Sequence, residues 1–158
     1  MSEVSQEAKK PGRDWEWLAL TDHYHTAVAI REAIEEGDVD DATAGLEELI
    51  DALSRSEERA LESHLIRLMQ HIIKWRAQPG RRSRSWIATI REARKRVRQF
   101  QTRYPRFTDQ RILELWDDCF DSGVNEAEKD MNQEVANPPT ITWHDAFEAE
   151  YRLDESGS

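Results

Sequence analysis

A single cysteine, Cys119, stands in 158 residues. No intrachain disulfide is possible, and nothing points to an oxidising compartment. No stretch approaches the roughly 18 apolar residues of a membrane span. The N-terminus, MSEVSQEAKKPGRDW, lacks the apolar core of a signal peptide. A cytoplasmic protein with no membrane partner is therefore expected. Glycine (6) and proline (5) are scarce, so the chain has few obligatory breaks. No segment of useful length alternates with period two, and no sheet is expected. A glycine-rich phosphate loop, GxSxG and HExxH are all missing. Catalytic, cofactor and metal residues are accordingly left unassigned, and the reading leans away from an enzyme.

What is present is charge and aromatic mass. Charged residues make up 34% and hydrophobic residues 38%, with a mean hydropathy of −0.84. That is polar for a globular chain, yet six Trp, four Phe and three Tyr are too many for a disordered one. A slender helical bundle reconciles the two, because it has much surface per unit of core. The expected fold class is all-α: an irregular bundle of about four to six helices around one long central helix. The expected organisation is a mobile tail at 1–13, a single helical domain at 14–152, and a mobile tail at 153–158.

The apolar spacing places the helices. Tyr24, Val28, Ile30 and Ile34 give one apolar side to a first helix, from about Asp14 or Asp22 to Glu36. Gly37 is a suitable stop. Apolar residues then recur at 46, 49, 50, 53, 61, 65, 68, 72 and 75. Leu46 and Trp75 share a phase after about eight turns, which predicts one long helix over 41–78. Its middle is weak, because Ser54 to Glu57 reads as a capping box that could start a new helix. Pro79 and Gly80 end it. Trp86, Ile90, Ala93, Val97, Phe100 and Tyr104 form one face of a helix over about 85–103. A further helix is expected over 109–133, interrupted by Gly123 at a cost of about 1 kcal/mol. A short one follows within TWHDAFEAEY, with Thr142 and Asp145 in capping-box positions.

Charge is unevenly placed. From Arg67 to Arg106 there are 13 Lys or Arg and one acid, Glu92; the rest holds 9 bases and 31 acids. Within the basic segment, Arg81, Arg82, Arg84, Arg91, Arg94, Lys95 and Arg98 form a cluster open to two readings. It is a phosphate-binding surface, with Trp75, Trp86, Phe100 and Tyr104 for stacking. Alternatively it is an internal ion-pair cluster. The aromatics lie on the apolar stripes, and Arg81, Arg82 and Arg84 follow a helix C-terminus, whose free carbonyls attract cations. The second reading accounts for PGRRSRSW as a helix–helix corner, with Ser83 or Ser85 capping the following helix.

The run SRSEERALESHLIRLMQHIIKWRAQP followed by RRSRSWIATIREAR resembles a bacterial family catalogued as domain of unknown function twenty-nine. The matching positions are 56–63, His71 to Trp75, Gln78-Pro79 and Arg82 to Trp86, continued by Thr89, Ile90, Arg91 and Arg94. His71, Lys74, Trp75, Pro79, Arg82, Ser83, Arg84 and Trp86 carry the signature. TDHYHTAV and ITWHDAF are similar to the family's opening and closing segments, so the resemblance covers roughly residues 21–150. It implies an all-helical bacterial protein and supplies no activity, cofactor or catalytic residue.

Metal ligation has little support. Asp22, His23 and His25 are close in sequence, while His64 and His71 are about 10.5 Å apart along a helix, too far for one ion. Cys119 lies on an apolar stripe and reads as a small buried hydrophobe. The first expectation for function is a non-catalytic protein-interaction or oligomerisation module, whose acidic helices receive a basic protein partner or a second copy of the chain. Nucleic-acid or polyanion binding through 67–106 stands second. A metal-dependent enzyme with a site between helices stands third.

Overall fold

Leu46, Leu49, Ile50 and Leu53 share a phase with Leu61, Leu65, Leu68, Ile72 and Trp75, and the backbone follows that phase without a break. The computed structural model describes residues 13–154. Its α-helices are α1 (Trp15–Thr21), α2 (His23–Glu35), α3 (Val39–Ala77), α4 (Arg84–Arg103), α5 (Asp109–Glu114), α6 (Trp116–Met131) and α7 (Trp143–Phe147), with a 3-10 turn at Pro79–Arg81. No strand occurs among the described residues. The tails expected at 1–13 and 153–158 lie outside the described residues, except for Arg13, Leu153 and Asp154.

The all-α expectation holds, and the count among the described residues reaches seven because two expected helices are each divided. Asp22 separates α1 from α2. Its backbone is extended (φ −154°, ψ 104°) and its carboxylate accepts the His25 N–H at 3.0 Å, so it caps α2 rather than continuing α1. Leu115 separates α5 from α6. There the N–H is shared between the carbonyls of Arg111 and Ile112, at 3.3 and 3.1 Å, and the turn tightens. α3, by contrast, is one helix of 39 residues. Ser54 to Glu57 starts no new helix, since the stripe resumes in phase beyond it.

The chain divides into two compact units at Glu58/Arg59, within α3. In the first unit, Trp15, Ile30, Ala33 and Ala42 form a small core, with Leu18, Ala29 and Leu49 against it. The Trp15 indole N–H donates to Asp41 at 2.7 Å, and Arg13 donates to the other oxygen of the same carboxylate at 2.6 Å. Gly45 is required by this packing: a Cβ there would lie 2.7 Å from the Trp15 ring. Gly37 takes φ 80° just after α2, the left-handed stop expected of it.

The second unit has the larger core. α3 contributes Leu61, Leu65, Leu68, Met69, Ile72 and Ile73, and α4 contributes Ile90, Ala93 and Val97. Phe107, Ile112, Leu115, Cys119, Ala127, Ile141 and Ala146 complete it. Cys119 is buried there, and desolvation pushes its thiol pKa up to about 12, so it behaves as an inert hydrophobe. α7 is fixed by the capping box expected for it. The Thr142 hydroxyl accepts the Asp145 N–H, and the Asp145 carboxylate accepts the Thr142 N–H.

Candidate functional site

The signature residues meet at the corner between α3 and α4. Lys74 is buried; its ammonium donates to Asp130 and lies 4.8 Å from the Trp86 ring. Trp75 is buried one residue later. The Arg82 guanidinium sits 4.7 Å over its ring, and Arg82 Nε donates to the Trp75 carbonyl at 2.8 Å. That carbonyl lies in the last turn of α3, where no intrahelical donor remains for it. Pro79 opens the 3-10 turn, and Ser83 caps α4 by accepting the Trp86 N–H at 3.2 Å. His71 is half-buried. Its Nδ1–H donates to the Arg67 carbonyl at 2.9 Å, and burial holds its pKa below the ordinary imidazole value.

The basic cluster separates into engaged and unengaged members. Arg82 is held as just described. Arg94 donates to the carbonyls of Ala146 and Asp145 and covers the Tyr151 ring at 5.4 Å. Arg98 donates to Gln101 at 2.8 Å and Asp109 at 3.1 Å, and lies 4.7 Å from the Phe147 ring. Arg81, Arg84, Arg91 and Lys95 are exposed, with no side-chain partner among the described residues. Arg84, Arg91 and Lys95 share one face of α4, at spacings of seven and four. Trp75, Trp86, Phe100 and Tyr104 are all buried or half-buried, so the aromatics do not join the four free cations in a stacking surface.

A second feature lies in the first unit. The apolar positions at 46, 50 and 53, expected to face a core, are exposed instead: Leu46 by 47%, Ile50 by 56% and Leu53 by 40%. Val39 continues the same stripe one heptad earlier and is 66% exposed. The reason is that the short α1 and α2 cover only the adjacent side of α3, where Ala42, Gly45 and Leu49 meet Trp15 and its neighbours. Tyr24 and Ile34 of α2, also expected to face inward, are exposed too. Asp40, Glu47 and Asp51 lie along the open flank of the stripe and are exposed. The sequence carried a signal for this. Between Arg13 and Glu58, three arginines stand against fourteen carboxylates, a net −11, and among the described residues only the short α1 and α2 precede α3.

His23 and His25 lie near the start of α2, and His25 Nδ1 is 2.7 Å from Asp22. Among the described residues no group of three or more His, Cys, Asp or Glu side chains is placed to hold a metal ion. No described helix is long and apolar enough to cross a membrane.

The model of the family described as "Domain of unknown function DUF29" matches residues 21–154. The chain belongs to this family. The match takes in the corner, the whole basic cluster and the exposed stripe. Among curated proteins and solved structures, none matches the chain.

Proposed function

We propose that the protein is an interaction module, and that the exposed stripe of α3 receives a basic, amphipathic helix of a partner protein. The observation that carries this reading is the stripe itself. Val39, Leu46, Ile50 and Leu53 recur at spacings of seven, four and three along about 21 Å of helix, and all are 40–66% exposed. Covering such side chains favours association by about 25 cal/mol per Å² of apolar surface removed from water. Open apolar faces of this kind mark partner surfaces.

Charge selects the partner. Asp40, Glu47 and Asp51 flank the stripe, and the surrounding unit carries a net −11. Two copies meeting through this face would set carboxylates against carboxylates. A helix with Lys or Arg beside its apolar seam pairs with them instead and is steered in by the same field. The polyanion reading has less support, because Arg82, Arg94 and Arg98 are engaged within the fold.

The test is calorimetric titration of the full chain with a synthetic helix of about 20 residues, carrying Leu at the seam and Lys elsewhere. A Leu/Glu version serves as control. The Lys helix is expected to bind, more weakly at higher salt, and Leu46→Glu or Ile50→Glu is expected to weaken it at least tenfold. Absence of binding overturns the reading, as does binding indifferent to both substitutions. A concentration-dependent dimer that both substitutions abolish assigns the face to a second copy instead.

A further inference from the structure

An open cleft of about 500 Å³ lies between α4 and the segment that follows α7. Its basic side chains are Arg84, Arg91 and Arg152, and its apolar ones include Ile87, Ala88 and Tyr151. Two arrangements make it more than a surface hollow. First, the fold engages neighbouring arginines but not these two. Arg76, Arg82, Arg94 and Arg98 each hold a carbonyl or a carboxylate, while Arg84 and Arg91 have no side-chain partner among the described residues. Arg152 pairs with Glu150, and the only carboxylate lining the cleft among the described residues is Asp154. Second, Ile87 and Ala88 lie between the two free arginines in sequence, on the same part of α4. Cations and an apolar floor therefore share one concavity.

A cleft of this size accommodates a small organic molecule. Guanidinium groups prefer planar or tetrahedral oxyanions, which they grip with two parallel N–H donors. The Cα atoms of Arg84 and Arg91 are about 10.5 Å apart along the helix, so two flexible side chains can converge on one anionic group or hold both ends of an elongated one. The wall is firm. The Tyr151 hydroxyl donates to the Asp145 carbonyl at 2.7 Å, and its ring meets Trp75 edge-on at 5.5 Å.

We propose that this cleft binds a small organic oxyanion, a phosphate or carboxylate on an apolar body, with Arg84 and Arg91 holding the anion and Ile87, Ala88 and Tyr151 receiving the body. The site is independent of the α3 stripe, and its test leaves that reading untouched.

The experiment follows the backbone amide NMR signals of the full chain during titration with phenyl phosphate, inorganic phosphate and benzoate. Vesicles of phosphatidylserine in phosphatidylcholine form a fourth arm. Phenyl phosphate or benzoate is expected to saturate with shifts at Ile87, Ala88 and Tyr151, and the tighter of the two assigns the anion class. Inorganic phosphate is expected to bind at least tenfold more weakly than phenyl phosphate, because it has no apolar body. Arg84→Gln and Arg91→Gln are each expected to weaken binding about tenfold with spectra otherwise unchanged, the loss of one charge-assisted pair. Lys95→Gln, a free cation outside the cleft lining, is expected to change affinity less than twofold. The proposal is overturned by equal losses in all three variants, by absence of saturable shifts at Ile87 and Ala88, by inorganic phosphate binding as tightly as phenyl phosphate, or by binding to the vesicles alone.

Discussion

Lys74 is the side chain whose environment is most demanding. A buried ammonium is tolerated only when its charge is matched, and here Asp130 and the Trp86 ring together match it. Asp130→Asn removes the carboxylate and leaves the ammonium with a neutral acceptor. Asp130 is itself half-exposed, so water screens part of the loss. The expected destabilisation is about 1–3 kcal/mol, read as a lower urea midpoint. The hydrogen bond from Lys74 holds the Asp130 carboxyl below its ordinary value. Its stabilising effect is therefore present above the unfolded carboxylate pKa and is lost as pH falls through the lower folded one. His71 acts at a higher pH. Burial lowers its pKa, so the unfolded chain takes up that proton first. Stability is full above the ordinary imidazole value of 6.5 and falls as pH drops below it. His71→Gln is expected to flatten the stability profile below pH 6.5, checked by urea denaturation at a series of pH values on either side of it. A profile identical to that of the unmodified chain would remove His71 as its cause.

At the scale of the element, the glycines explain what propensity alone does not. Gly123 interrupts an otherwise good helix, and on propensity alone Ala would add about 1 kcal/mol. In the structure a Cβ at Gly123 would lie 3.0 Å from Met69 Cβ and 3.3 Å from the Gln70 backbone nitrogen, where α6 crosses α3. Overpacking of that kind costs about 1–3 kcal/mol, more than the propensity gain. Gly123→Ala is thus expected to lower the melting temperature, and a raised one would show that the two helices separate freely. The helix pattern was largely legible in the sequence, because apolar phase is a property of the chain itself. Trp86 to Tyr104 read as one face, and Ile90, Ala93 and Val97 are buried along it. What phase does not encode is what covers it. Leu46 and Leu68 belong to one stripe of one helix, yet Leu68 is fully buried and Leu46 is 47% exposed. Burial depends on which later elements reach each turn. The break at Leu115 escaped for a related reason, and the sequence offers Asp22 only as an alternative start of the first helix, not as a break between two. Both are local backbone choices, made by one side-chain cap and one tightened turn, that leave the apolar spacing almost unchanged.

For the molecule as a whole, charge was the sequence signal that led furthest. The acidic–basic–acidic order was visible at once, but the cluster's fate was not. Arg82 and Arg94 end on backbone carbonyls that no sequence pattern pairs with them, while Arg84 and Arg91 of α4 have no side-chain partner among the described residues. The two units also differ in the depth of their cores. Trp15, Ile30, Ala33 and Ala42 make a small cluster, against a core cluster of sixteen residues in the second unit. Local opening costs least where few apolar contacts are lost. Amides of α1 and α2 are therefore expected to exchange faster than those of α3 beyond Leu61 and of α4. Occupation of the exposed stripe stabilises only the state that carries it, so a bound partner slows that exchange.

The stripe Val39–Leu46–Ile50–Leu53 is proposed as a seat for a basic helix. It is tested most directly by mapping hydrogen exchange of the full chain with and without the Leu/Lys helix. Added protection is expected to centre on residues 39–53 and to disappear in Ile50→Glu. Protection confined to residues 59–154, or none at saturating peptide, would contradict it.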